Sequence, residues 1–526
     1  GASQRLNTAR ARPVVGLSDK ARGSGAFELS RFRAHALVLA AVLAVILAPG
    51  LAAKLLFGLA GDFLKAFDWL VLFSSTAMVV LCAVLALSPF GKLRLGGAAA
   101  RPEFGRLSWW AMLFATGMGA GLVFWGAAEP LIHTASPPPH LSADSQTGAE
   151  RVAFSLTLLH WAVHPWAIYA LSALTIAFFA FRRGAPLLPS APFRSGKAGP
   201  PSPLLNVIDW VALIAVLFGV VASMGQGILQ MTAGLSLGFE GLTPETRWVQ
   251  LALLCVLATV FLASAAGGLD RGIKPLSDLN MALACLLLAF VFIAGPTADL
   301  ASRLVGASAA YLQDLTWLST DLTRAGEGGG WTRDWTLTYF LWWVSWGPFV
   351  GVFVARISRG RTIRDFLAGV VLIPSLFTLA WFGVMGGAGL HAEYVEGRSL
   401  GIDSFESAPL ATYALLASYP LAELAQVITG LLVFIFLVTS ADSGAYVLAV
   451  FSRQGQGTPP VSERLFWGAV IAGLTAGALM TGEGQRAMRV FAITGSIPLL
   501  FLLLAQIGRL LWALREERPN RDGLPD

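Results

Sequence analysis

The sequence predicts an all-α polytopic membrane protein with twelve transmembrane helices, and three observations carry that prediction. Of 526 residues, 56% are apolar and only 13% charged, where a soluble domain carries about 25% charged residues. Mean hydropathy is +0.67. The apolar residues also gather into long runs, and at roughly 20 residues per lipid-crossing helix the chain holds enough for about twelve. This composition excludes an ordinary soluble enzyme, a disordered chain and a secreted disulfide scaffold. The runs lack the short apolar/polar alternation of a membrane β-barrel.

The expected spans are 35–57, 67–87, 107–131, 152–181, 204–231, 247–266, 276–295, 336–357, 366–390, 422–450, 462–480 and 488–509. Pro49-Gly50 interrupts the first. Between the seventh and eighth lies the longest loop, whose part from Leu300 to Leu322 mixes apolar residues with Asp314 and Asp321 in the manner of an interfacial amphipathic helix. A flexible link, Gly326–Gly330, follows it. The expected organisation is a cytoplasmic segment 1–34, two peripheral helices in 35–106, a first inverted repeat 107–295, an external amphipathic helix and loop 296–335, a second repeat 336–509 and a short cytoplasmic tail 510–526. Cys82, Cys255 and Cys285 each lie inside an apolar run without CxxC spacing, which reads as packing. The opening Gly1-Ala2-Ser3 reads as an expression scar, and no secretory signal is evident.

Charge orients the chain. Of 37 Lys and Arg residues, 27 fall before residue 35, in alternate loops and after residue 508, and 10 fall elsewhere. The excess marks the cytoplasmic side, so both termini are expected there. The net charge of +6 therefore reads as topology rather than nucleic-acid binding, which needs a basic stripe on a polar domain.

Chemistry is expected where the spans are irregular or polar. The third span contains Gly117-Met118-Gly119-Ala120-Gly121 and closes with Glu129-Pro130; the eighth carries Trp346-Gly347-Pro348. Small residues permit close helix packing. They also suit a broken helix whose freed carbonyls bind an ion or substrate, and inverted-repeat transporters interrupt the corresponding helix of each half. The third and eighth spans are five apart, matching repeats of spans 3–7 and 8–12. Trp161 and Trp346 lie about 14 Å into their spans at 1.5 Å per residue, near the middle of a core about 30 Å thick. That is too deep for an interfacial belt. Trp342 and Trp346 share a helix face, with Trp343 turned about 100° away. Indole faces at this depth suit a quaternary ammonium, which binds through cation–π attraction. His160 and His164 have the i, i+4 spacing of two metal ligands, but Trp161 stands where a zincin has glutamate and no third ligand is evident, so hydrogen-bonding histidines are expected. Thr439 and Ser440 either bond their own helix carbonyls or supply hard oxygen ligands to a cation. Asp442 is a candidate as an ionisable residue inside a span.

Gly117–Gly121, His160–Tyr169, Trp342–Gly351, Ala355–Thr362 and Thr439–Ser443, in this order, resemble the betaine/carnitine/choline transporter (BCCT) family over roughly residues 35–510. The resemblance implies a leucine-transporter-like core of five plus five helices in inverted repeat, a homotrimer, and a multi-pass protein of the bacterial inner membrane. It implies an aromatic box of Trp161, Trp166, Tyr169, Trp342, Trp343 and Trp346 around an onium group. It implies a sodium site on the carbonyls of Ala115, Met118 and Phe436 and the hydroxyls of Thr439 and Ser440.

Departures from the family pattern narrow the reading. Val216 and Val220 stand where two threonines form a second sodium site, Gly121 where proton-coupled members carry aspartate, and Thr338 where related betaine carriers have an aromatic. The fifth span holds no arginine of the exchanger type, and the tail lacks the long basic extension of osmosensing members. The expected function is sodium symport of a zwitterionic onium compound, glycine betaine first, with no cofactor and no enzymatic activity. Dimethylsulfoniopropionate, choline or carnitine, with proton coupling or exchange, is the alternative within transport. A membrane metalloenzyme built on His160 and His164 is the alternative outside it.

Overall fold

The computed structural model describes residues 24–117, 119–141, 143–194, 202–267, 269–321 and 330–517. Seventeen α-helices run through them: α1 Ser24–Leu47, α2 Pro49–Leu87, α3 Arg106–Gly117, α4 Ala120–Ala135, α5 Gln146–Trp161, α6 Val163–Arg183, α7 Pro203–Gly238, α8 Arg247–Gly267, α9 Leu269–Ala294, α10 Thr297–Thr320, α11 Gly330–Thr332, α12 Thr338–Ile357, α13 Ile363–Leu390, α14 Ala411–Leu416, α15 Ala422–Ser452, α16 Val461–Met480 and α17 Gln485–Glu516. Among the described residues the only pairing of β type is an isolated antiparallel bridge between Arg94 and Thr362. Among the described residues, nine helical segments are long and apolar enough to cross a membrane, ten if the bent pair α3–α4 makes one span. The chain is therefore an all-helical, multi-pass membrane protein. Residues 1–41 form a unit separate from 42–526; of the first, the described part is the opening of α1.

Several helices differ from the hydropathy reading. The run 35–57 is not one helix: α1 ends at Leu47 and α2 starts at Pro49, where proline is tolerated because a first-turn N–H has no helical partner. α2 continues to Leu87 through a kink at Phe67 (φ −126°, ψ 18°). The fourth expected span is two helices, divided at Ala162 (φ −100°, ψ −109°). Pro165 explains the division, since its ring would meet the carbonyl of Trp161 in a continuous helix and it has no N–H to give. The eighth, in contrast, is unbroken: α12 runs through Gly347-Pro348. Its small residues serve packing, because a Cβ on Gly351 would lie 2.8 Å from the Ser172 hydroxyl of α6, and Ser172 donates to the Gly347 carbonyl at 2.9 Å. The stretch expected to be an external amphipathic helix is helical, as α10, Thr297–Thr320. Residues 326–329 of the expected link lie outside the described residues.

Burial ranks the helices by position. Across Gln146–Arg183, 94% of the most apolar window is buried, against 22% for Pro275–Ala294. A helix apolar on every side and buried on every side is interior, whereas one that is apolar and exposed meets lipid. Cys255 and Cys285 sit on this lipid-type surface, and Cys82 is buried. At the end expected to be cytoplasmic, Gly360 (φ +82°) approaches so closely that a Cβ would fall 2.2 Å from the Arg101 backbone. Glycine alone meets both demands. Beside it, the Arg361 guanidinium lies 4.4 Å from the Trp109 ring and the Trp109 indole donates to Ser358 at 3.0 Å. The Ala355–Thr362 motif is thus a latch between the loops before α3 and α13.

Candidate functional site

Two helix breaks face each other at the interior. α3 and α4 meet at a 65° bend around Met118, which lies outside the described residues, and Gly119 is extended (φ −160°, ψ 167°). The glycines beside the bend admit indoles: a Cβ on Gly117 would sit 3.0 Å from Trp166, and one on Gly121 would sit 3.0 Å from Trp161. The carbonyls just past the bend are bonded from other helices. Leu122 accepts from the Trp381 indole at 2.7 Å and Val123 from the Thr412 hydroxyl at 2.7 Å. At the second break, the Trp343 indole donates to the His160 carbonyl at 2.7 Å, and the Val163 N–H donates to the Tyr311 hydroxyl at 3.3 Å.

Four of the six expected box residues come together. Trp161 meets Trp343 edge-on with centroids 4.8 Å apart, Trp166 meets Tyr169 at 5.3 Å, and Tyr169 meets Trp343 at 6.4 Å. Trp343, not Trp342 or Trp346, joins the α5–α6 rings. Trp342 stacks near Tyr339 at 6.5 Å; Trp346 meets Phe349 at 5.2 Å and packs at Gly219 of α7. The sequence reading missed Tyr339, which stacks on Trp343 at 5.8 Å. Its signal was present as aromatics every fourth residue: Trp331, Trp335, Tyr339 and Trp343. Thr338 has another task, its hydroxyl closing a π-helical turn on the Arg333 carbonyl at 2.7 Å.

Beside the cluster is a fully buried carboxylate, Glu129. Its Oε2 accepts from the Trp161 indole at 2.6 Å and the Tyr339 hydroxyl at 2.8 Å. Its Oε1 is bonded by His160 Nδ1 at 2.5 Å and His133 Nε2 at 3.1 Å. His160 Nε2 in turn pairs with the Thr336 hydroxyl at 2.9 Å. His160 is hydrogen-bonded, as expected; what is corrected is the lack of a third possible ligand, since Glu129, His133 and His160 bring their ligand atoms within 4.8 Å of one another. His164 is outside this group, stacked on Phe340 at 5.1 Å. Glu129 carried a sequence signal as an ionisable residue within a span.

Of the expected ion residues, Ala115 lies on α3 and Phe436, Thr439 and Ser440 lie on α15, while Met118 is outside the described residues. Thr439 donates to the carbonyls of Ile435 at 3.0 Å and Phe436 at 3.1 Å, which uses its one proton and leaves its oxygen able to accept. Ala115 is in the last turn of α3, and Ser440 follows Thr439. Val216 and Val220 are buried packing residues of α7, Val220 lying 3.2 Å from where a Gly444 Cβ would be. Asp442 is buried and accepts from Ser264 at 2.6 Å.

Residues 31–519 match the model of the BCCT, betaine/carnitine/choline family transporter. The chain belongs to the BCCT family. It is similar to the glycine betaine transporter OpuD of Bacillus subtilis (strain 168), 39% identical over 457 residues covering 86% of this chain and 87% of that protein. It is 35% identical to glycine betaine transporter 1 of Vibrio parahaemolyticus, with 91% of each chain covered. The ectoine/hydroxyectoine transporter of Virgibacillus pantothenticus is 35% identical, with 85% of this chain and 88% of that protein covered. This BCCT protein is accordingly a membrane transporter and not an enzyme.

Proposed function

We propose that this BCCT transporter imports a zwitterionic onium compound, glycine betaine first, by sodium symport with alternating access. The observation that carries the reading is the meeting of Trp161, Trp166, Tyr169 and Trp343 beside two helix breaks. A trimethylammonium group has no N–H to donate, so aromatic faces are its natural partners. Trp342 and Trp346 complete the proposed set. Names of relatives support the substrate class: two are glycine betaine transporters and a third carries ectoine and hydroxyectoine. In this reading Ala115, Met118, Phe436, Thr439 and Ser440 hold the coupling sodium. Of twelve helices, ten form two five-helix inverted repeats, 107–295 and 336–509, both termini are cytoplasmic, and the protein is an inner-membrane homotrimer.

Binding of glycine betaine, dimethylsulfoniopropionate, choline, carnitine and ectoine to the purified protein, followed by tryptophan fluorescence with and without sodium, tests this. Sodium-dependent binding, tightest for glycine betaine, is the expected result. Binding indifferent to sodium but sensitive to pH would transfer the reading to proton coupling, and binding of none would end it.

A further inference from the structure

Glu129 is a buried charge-bearing group in a helix that is buried from Leu122 to Thr134. It has two oxygens and four polar partners, one pair on each oxygen. An ionised carboxylate accepts up to about four hydrogen bonds, and an indole N–H can only donate. The environment therefore suits an anion held by donors. Two of the donors are the polar tips of rings in the aromatic cluster. Trp161 meets Trp343 at 4.8 Å, and Tyr339 meets Trp161 at 5.5 Å and Trp343 at 5.8 Å.

Hydrogen bonding an anion to an indole N–H or phenol O–H pushes electron density into the ring. Cation–π attraction is the pull of that ring's negative face on a cation, so a ring polarised in this way attracts an onium group more strongly. The anion acts directly too, because charges away from water are weakly screened. We propose that Glu129 is a specificity-determining, positioning residue for the substrate's cationic head: it fixes Trp161 and Tyr339 and lends them its charge, so the site selects an onium group over an uncharged group of the same shape. This deepens, and rests on, the reading of the cluster as an onium site.

The test compares two ligands of one shape. Glycine betaine and 3,3-dimethylbutanoate differ in having a positive nitrogen or a neutral carbon beneath three methyl groups. Calorimetric binding of both to purified wild type, Glu129→Gln and Tyr339→Phe, with thermal melts as a fold control, separates charge from shape. Loss of the charge should weaken glycine betaine about tenfold in Glu129→Gln, and loss of one donor about threefold in Tyr339→Phe, magnitudes in the range of cation–π contacts. Affinity for 3,3-dimethylbutanoate should hold within about twofold, since a neutral head has no cation–π term to lose. Should Glu129→Gln fail to fold, Tyr339→Phe decides the matter alone. Equal losses for both ligands, or unchanged glycine betaine affinity, would overturn the assignment while leaving the transport reading intact. Wild type that binds no onium compound would overturn that reading and this inference together. Stoichiometric zinc on purified wild type, lost in Glu129→Gln, would show instead that Glu129, His133 and His160 form a metal centre.

Discussion

Trp343 on α12 donates its indole N–H to the His160 carbonyl on α5 at 2.7 Å. In an uninterrupted helix that carbonyl would belong to the N–H of His164, but the ladder is broken at Ala162. One side chain thus joins a helix break to the aromatic cluster and ties the fourth expected span to the eighth. Trp343→Phe keeps a ring and removes the donor. Taking a partner from a buried polar group costs about 1–3 kcal/mol, so the melting temperature of the detergent-solubilised protein should fall. A melt equal to that of wild type would show that the bond does not hold the break.

How far the sequence could be read is set by distance along the chain. Local signals succeeded: hydropathy located α8, α15 and α16 closely, and Gly117–Gly121 marked the bend between α3 and α4. Proline proved ambiguous, since Pro165 accompanies a break while Pro348 sits inside continuous α12. The outcome depends on whether neighbours occupy the freed carbonyls, which no single span records. Helical periodicity correctly separates the face of Trp343 from that of Trp342 and Trp346 but does not say which face looks toward α5. The Glu129 network was least accessible, because Tyr339 lies 210 residues away from Glu129 and His160 lies 31 away.

A cluster at the end expected to be external makes stability depend on pH. Asp299 on α10 accepts from Arg303 at 2.6 Å and His391 at 2.8 Å, and Arg303 also pairs with Glu150. Partial burial pushes the Asp299 carboxyl up, but the hydrogen bonds and charges of Arg303 and His391 outweigh it and hold its pKa below the ordinary 3.8. A depressed carboxylate contributes stability above its ordinary pKa that is lost as pH falls through its folded value. Asp299→Asn should therefore be less stable than wild type at neutral pH, and the difference should shrink as pH falls from about 5 toward 3. A gap that stays constant across that range would show that the carboxylate's charge contributes nothing.

Membrane orientation can be read by labelling. On a background lacking Cys82, Cys255 and Cys285, Ala99→Cys lies in the loop before α3 and Glu240→Cys in the loop after α7, both exposed. The basic excess places the first loop in the cytoplasm and the second outside. A membrane-impermeant thiol reagent applied to intact cells should modify Cys at 240 and spare Cys at 99. The reverse pattern would invert the proposed topology.

Ion coupling gives the last prediction. Thr439 gives its hydroxyl proton to the carbonyls of Ile435 and Phe436, an arrangement that leaves its oxygen able to coordinate a small hard cation. With Ser440 beside it and backbone carbonyls at Ala115, Met118 and Phe436, the proposed site has five oxygens. Val216 and Val220 are buried packing residues, and an isopropyl group offers a second ion no ligand at either position. Uptake into cells should therefore require sodium and rise with its concentration with a Hill coefficient of about one, whereas two coupled ions allow values approaching two. Thr439→Ala combined with Ser440→Ala removes both side-chain ligands and should abolish the response to sodium while the protein still reaches the membrane. If the hydroxyls serve only their own helix turn, the double variant will keep its sodium dependence and the proposed site is wrong. Wild-type uptake that ignores sodium and follows a proton gradient would remove symport with sodium altogether. A coefficient clearly above one would require further ligands away from Val216 and Val220.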